Sequence, residues 1–178
     1  KTTPPTDLAA RLATLGLKST ASHLPDLLAR ATKNRWGGVT LLEELAKIEA
    51  ADRAQRSLDR RLVRSRLGKF KPIADFDWAW PKKIDRDLIE RALTLDFIPE
   101  RRNLAIVSTN GLGKTMIAKN VAHAALLAGH SVLFRTASDL LADLAADSPE
   151  IRRRKFNFYS RHDLLVIDEI GYFSYDDH

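Results

Sequence analysis

Hydrophobic positions along this chain follow two rhythms. Over residues 1–70 they recur at helical spacing. Thr6 is placed to cap a short helix through about Leu15, and Ser22 a second through about Asn34, with Pro25 tolerated in its first turn. Trp36-Gly37-Gly38 breaks the pattern, and Thr40-Leu41-Leu42-Glu43 reads as a capping box opening a long helix to about Leu67, ended by Gly68. At ~100° per residue, Arg53, Arg56, Arg60 and Arg64 share a sector of roughly 80°, with Ile48, Ala51, Leu58 and Leu62 on the other side. One face packs and the other is cationic.

Beyond residue 70 the rhythm changes. Short apolar runs at Leu104-Ala105-Ile106-Val107, Ser131–Arg135 and Leu164-Leu165-Val166-Ile167 read as strands, the last buried on both faces. Helical patterns run from Ile84 to about Leu95, from Met116 to about Leu127 with Gly129 as the stop, and from Ala137 to Ala145. Strand and helix alternate, which predicts a parallel α/β sheet with right-handed crossovers. Pro72 and Pro81 bracket Asp75-Phe76-Asp77-Trp78-Ala79-Trp80 and disfavour a helix there. The domain boundary is therefore expected near residue 70, with a helical domain over 1–70 and an α/β domain over 71–178. Two uses of the aromatic cluster stay open, stacking on a base or sealing a domain interface.

Composition narrows the function classes. With 44% hydrophobic residues in 178, the chain can bury a core, and the lack of cysteine excludes disulfides, thiolate metal sites and cysteine nucleophiles. No apolar stretch approaches the roughly 20 residues of a membrane span, so a soluble, cytoplasmic protein is expected, with no membrane partner. The net charge of +6 is uneven: residues 1–70 carry 14 Lys and Arg against 7 Asp and Glu, residues 71–178 carry 15 against 16. The basic surplus sits with the arginine-lined helix, whose Arg53, Arg56, Arg60 and Arg64 are candidates for phosphate-backbone contacts on duplex DNA. Arg152, Arg153, Arg154 and Lys155, followed by Phe156, Phe158 and Tyr159, are a second candidate strip, equally readable as a solvated helix end. The scattered histidines suit neither catalysis nor metal binding.

The sharpest chemical signal is NLAIVSTNGLGKTMIAKN, residues 103–120. An apolar strand, a glycine-bearing turn and a helix are what a polyphosphate requires. Glycines let backbone N–H groups converge on the anion, and the helix dipole stands behind them. Asn110, Gly111, Leu112, Gly113, Lys114, Thr115 and Met116 form the candidate nucleotide-binding stretch. Lys114 would reach the β- and γ-phosphates, and the Thr115 hydroxyl would enter the shell of Mg2+. The phosphate-loop pattern places a first glycine where this chain has Ser108; if that position needs a positive φ, the serine is strained and hydrolysis suffers. Some fifty residues on, DLLVIDEIGY from Asp163 to Tyr172 ends an apolar strand in two acids, the spacing of a Walker B element. Asp168 would hold Mg2+ and Glu169 would orient the attacking water.

These motifs, with the DFDW segment, HSVLFRTASDLLADL and the basic helical front, resemble the IstB-like ATPases. These are AAA+ helpers of insertion-sequence transposases, related to the DnaC-type helicase loaders. The resemblance implies a P-loop AAA+ parallel-sheet ATPase core preceded by a small all-α N-terminal domain, with strands ordered 5-1-4-3-2. Only strands one to three are recognisable, so the C-terminal part of the core, including sensor and arginine-finger residues, is expected to be missing after His178. It also implies ATP and Mg2+ as cofactors, catalysis by Lys114 and Glu169, self-association into an AAA+ oligomer, assembly on DNA and assistance to a transposase. Two other functions fit the same residues: a helicase loader that grips its partner through the N-terminal domain, and an ATP-gated scaffold with little hydrolysis.

Overall fold

The computed structural model describes residues 5–80, 83–145 and 148–171. Pro81, Tyr172 and His178 lie outside the described residues. The chain divides into two compact units, Lys1–Asp59 and Arg60–His178, and the division falls inside one continuous helix.

The first unit is helical. α1 (Pro5–Thr14) and α2 (Lys18–Lys33) pack on each other across a tight turn, and α3 (Gly38–Ser65) begins after the Trp36-Gly37 break. Three capping expectations fail. Thr6 and Thr40 sit inside their helices, and Ser22 is the fifth residue of α2, where its Oγ donates to the Ser19 carbonyl at 2.8 Å. Because α2 starts earlier than expected, Pro25 lies in its interior. There the ring cannot supply the N–H that the Ala21 carbonyl would otherwise accept. Leu17 leads into α2 without a side-chain cap, and the free N–H of Thr20 in the first turn is instead bonded by Glu49 Oε1 of α3 at 2.8 Å. Glu49 and Thr20 are buried together with Leu24 and Leu27, and the Thr20 amide holds the Glu49 carboxyl below the usual carboxylate range. An acid from one helix thus finishes the end of another.

The second unit has the expected mixed character. A 3-10 turn at Ile73–Asp75 leads to α4 (Arg86–Leu93), which Asp85 caps by accepting from Leu88 N at 2.9 Å. Then come α5 (Lys114–Leu127), β1 (Val132–Thr136), α6 (Ala137–Leu144), α7 (Pro149–Ser160) and β2 (Leu164–Asp168). β1 and β2 pair in parallel, Val132 opposite Leu164 through Thr136 opposite Asp168. Asp163 fixes where this ladder begins: one carboxylate oxygen accepts from both the N–H and the Oγ of Ser131 at 2.7 Å, and those bonds pull its pKa down. Ala122, Ala125 and Leu126 of α5 and Leu133 of β1 are wholly buried, so α5 packed on the two strands forms the centre of this unit. Arg135 of β1 and Lys155 of α7 meet the Asp143 carboxylate of α6 at 3.0 and 2.6 Å, and the Tyr159 hydroxyl donates to it as well.

Two strand expectations need correction. Leu104–Val107 is not a ladder strand: it pairs with no strand among the described residues, and Val107 is 91% exposed. Both it and β2 line a cavity of about 920 Å³. β2 is half-buried rather than buried on both faces, and Ile167 is exposed.

Candidate nucleotide site

The turn before α5 is shaped by its glycines. Gly111 and Gly113 have φ of 82° and 83°, a left-handed conformation that a side chain resists. Gly113 is the N-cap of α5, with no side-chain cap and no acid in the first turn of the helix. The N–H groups of that turn and the positive end of the dipole are therefore left for an anion. Ser108 is not among the residues with positive φ, so the strain feared for a serine there does not arise.

Lys114, the first residue of α5, folds back over the turn. Its Nζ donates to the carbonyls of Ser108 at 2.8 Å and Thr109 at 2.9 Å. Thr115 points the other way, and its Oγ1 donates to Asp168 Oδ2 at 2.7 Å. That bond joins positions 53 residues apart in sequence. It exists because the β1–β2 register carries β2 to its C-terminal end beside the start of α5. Glu169 follows with φ 61°, and its N–H is held by Asp168 Oδ1 at 3.0 Å. Asn110, Gly111, Gly113, Lys114, Thr115 and Met116 line the large cavity together with Asp168 and Glu169. Leu112 does not; it turns into a separate, mostly apolar cavity of about 200 Å³ bordered by Ile84, Leu88, Ala105 and Val107. Phe97 lines the larger one.

The donor set suits a small hard cation. Thr115 offers a hydroxyl and Asp168 a carboxylate, and no group of three or more His, Cys, Asp or Glu able to hold a metal occurs among the described residues. Mg2+ typically takes only one or two protein oxygens and completes its shell with phosphate and water. The residues present fit it.

With this geometry in place, the comparisons with known proteins are decisive. The family model for IstB-like ATP binding proteins matches residues 10–178. The chain belongs to that family. Among its relatives, the ATP-binding protein of insertion sequence IS21 from Pseudomonas aeruginosa is 30% identical over 93% of this chain and 63% of its own length. That of IS232 from Bacillus thuringiensis is 29% identical over 95% and 68%, and that of IS5376 from Geobacillus stearothermophilus 31% over 76% and 54%. The chain thus spans between about half and two thirds of the length of these relatives. Its AAA+ core is the IstB-like one, with the lysine turn and the acid pair in contact.

The arginines of this IstB-like chain are less uniform than their spacing implied. Arg53, Arg56, Arg60 and Arg64 are all exposed on α3, but Arg56 is paired with Asp52 at 2.5 Å. On α7, Arg152, Arg153 and Arg154 are exposed, whereas Lys155 is half-buried and bonded to Asp143. Phe76, a member of the aromatic cluster whose use stayed open, and Asn120, which the sequence did not single out, both bear on the turn. Phe76 is packed against Gly113, and Asn120 anchors the segment that carries Phe76. A signal for Asn120 was present: three residues after Ile117 and next to Val121, it is an amide on the apolar face of the helix.

Proposed function

We propose that this chain binds ATP with Mg2+ between the Lys114 turn and the Asp168–Glu169 pair, hydrolyses it, and uses the nucleotide state to control assembly on duplex DNA in aid of a transposase. The observation that carries this is the Thr115–Asp168 hydrogen bond beside the turn, since it brings together the two halves of a phosphate and cation site.

The chain's own groups divide the work. The first-turn amides of α5 receive phosphate oxygens. Lys114, held by two carbonyls, exchanges them for the more strongly accepting β- and γ-phosphates, a charge-assisted replacement that also frees the turn. Thr115 and Asp168 would hold Mg2+ in exchange for their mutual bond, and the ion would supply charge neutralisation on the phosphate oxygens. Glu169 orients and polarises the attacking water from a left-handed backbone position directly after the strand. With no positive φ at Ser108, the argument for a scaffold that binds without hydrolysing loses its support.

The relatives' names, all ATP-binding proteins of insertion sequences, support transposition over helicase loading. Arg53, Arg60 and Arg64, exposed along one helix, and Arg152 to Arg154 are the groups proposed to meet the DNA backbone, where they add affinity without sequence choice. An AAA+ oligomer formed with nucleotide would multiply these contacts. The test is duplex DNA binding with and without ATP. Wild-type protein should bind more tightly with ATP and Lys114→Ala should lose that gain; equal binding in all four cases refutes the coupling.

A further inference from the structure

The segment that leaves α3 is laid along α5, running from the C-terminal end of that helix to its N-terminal end. Arg61 Nη2 donates to the Leu126 carbonyl at 3.2 Å. The Phe70 ring lies 5.3 Å from that of His123. Asn120, buried at 8% exposure, then grips the backbone: Nδ2 donates to Lys71 O at 3.0 Å and to Met116 O at 2.8 Å, while Oδ1 accepts from Ile73 N at 2.9 Å. Two helical turns further toward the start of α5 the segment ends on Phe76, whose ring occupies the space beneath Gly113. A Cβ on Gly113 would lie 2.5 Å from Phe76 Cε2. Phe76 is buried, its ring 4.8 Å from that of Trp78, which in turn carries the Arg86 guanidinium at 4.9 Å.

We propose that this strap is a brace for the phosphate-binding turn and that Phe76 is a positioning residue for the nucleotide. The inference rests on the nucleotide reading for its ligand but not for its mechanics. Gly113 must hold a left-handed conformation for its neighbours' amides to converge, and on its own a glycine visits many others. A flat, buried ring pressed against its Cα removes those alternatives before any ligand arrives. Pre-organisation of this kind lowers the cost of binding, because the turn need not be ordered by the phosphate. Asn120 makes the brace rigid, since three bonds from one side chain tie both strap and helix to the same point. Trp78, whose ring meets that of Phe76 at a tilt of 60°, is a reporter placed by the fold.

The experiment uses the full chain with Trp36→Phe and Trp80→Phe, leaving Trp78 as the sole tryptophan, and compares Phe76 with Phe76→Leu and Phe76→Ala. Leucine keeps an apolar side chain and most of the burial, so folding is retained where alanine fails, and circular dichroism checks it. Hydrogen exchange without nucleotide should show the Ile117 amide, which bonds the Gly113 carbonyl at 3.0 Å across the turn, exchanging faster in Phe76→Leu while Ala122–Leu127 are unchanged. Binding of a fluorescent ATP analogue with Mg2+ should weaken about tenfold, and the Trp78 emission change that accompanies ATP binding in the parent should be lost. Unaltered exchange in the turn together with binding within twofold of the parent would overturn the brace. If the parent itself binds no ATP, the nucleotide reading fails and the exchange data alone decide the strap.

Discussion

Asn120 offers a sharp energetic test because its isosteric replacement should be worse than its truncation. Its Oδ1 must face the Ile73 N–H, which fixes the amide orientation and leaves Nδ2 as donor to the carbonyls of Lys71 and Met116. Asn120→Ala forfeits three hydrogen bonds of about 0.5–1.5 kcal/mol each and leaves the Ile73 N–H unsatisfied, offset by about 0.5 kcal/mol of better helix propensity. A loss of about 2–3 kcal/mol follows, which for a chain of this size lowers the melting temperature by roughly 5–10 °C. Asn120→Asp keeps the acceptor for Ile73 but sets a buried carboxylate against two carbonyl oxygens, adding about 1 kcal/mol or more to the loss. Burial and those carbonyls raise the pKa of the introduced acid above its unfolded value. Its protonated form, which regains a donor, therefore recovers stability as pH falls toward about 4. Calorimetric melts at pH 7 and pH 4.5 suffice. An aspartate variant as stable as the alanine variant at pH 7, or one that gains nothing relative to it on acidification, would refute the hydrogen-bond assignment and with it the anchoring of the strap.

Three further outcomes are expected. Glu169→Gly should relieve a left-handed backbone at φ 61° and stabilise the fold by about 1 kcal/mol while abolishing hydrolysis, read by melting and phosphate release; a variant that hydrolyses normally removes Glu169 from the mechanism. Replacing Arg53, Arg60 and Arg64 by Ala should each reduce the salt slope of duplex binding by about 0.9, with Arg56→Ala having less effect because Asp52 already holds it; a slope indifferent to all four places the DNA elsewhere. Acid should destabilise both units. Glu49, held by the Thr20 amide, Asp143, by Lys155 and Tyr159, and Asp163, by Ser131, all have depressed pKa values. The stability they supply is complete above the unfolded carboxylate range near 4 and is lost as pH falls through their lower folded values. Asp163→Asn should flatten that acid limb in urea titrations, and an unchanged limb would count against the Ser131 clasp.

What the sequence disclosed and what it hid divide along physical lines. Lys114, Thr115, Asp168 and Glu169 stood out because phosphate and cation chemistry demand particular residue types at particular spacings, and all four line one cavity, with Thr115 bonded to Asp168. β1, α5 and α6 were legible from apolar runs and glycine stops to within one or two residues. The helix starts of the first unit were not. Thr40 looks like a cap, yet α3 begins at Gly38, and the free end of α2 is finished by Glu49 from 29 residues away, a partner no local pattern reveals. Leu104–Val107 has the composition of a strand but pairs with no strand among the described residues, and ladder formation is a property of two segments rather than one. The contact of Phe76, singled out only as part of an aromatic cluster, and the anchoring by Asn120 were hidden for the same reason: they reach the turn and the strap across 37 and 47 or 49 residues of chain.

The central claim is that Lys114, Thr115 and Asp168 together hold a nucleoside triphosphate with its magnesium. Isothermal titration of ATP into the purified protein, with and without Mg2+, for wild type, Lys114→Ala and Asp168→Asn tests it most directly. Saturable, magnesium-dependent binding by wild type is expected, with Lys114→Ala showing none and Asp168→Asn losing the magnesium dependence. Equal heats of binding for all three proteins, or none for wild type, would contradict it.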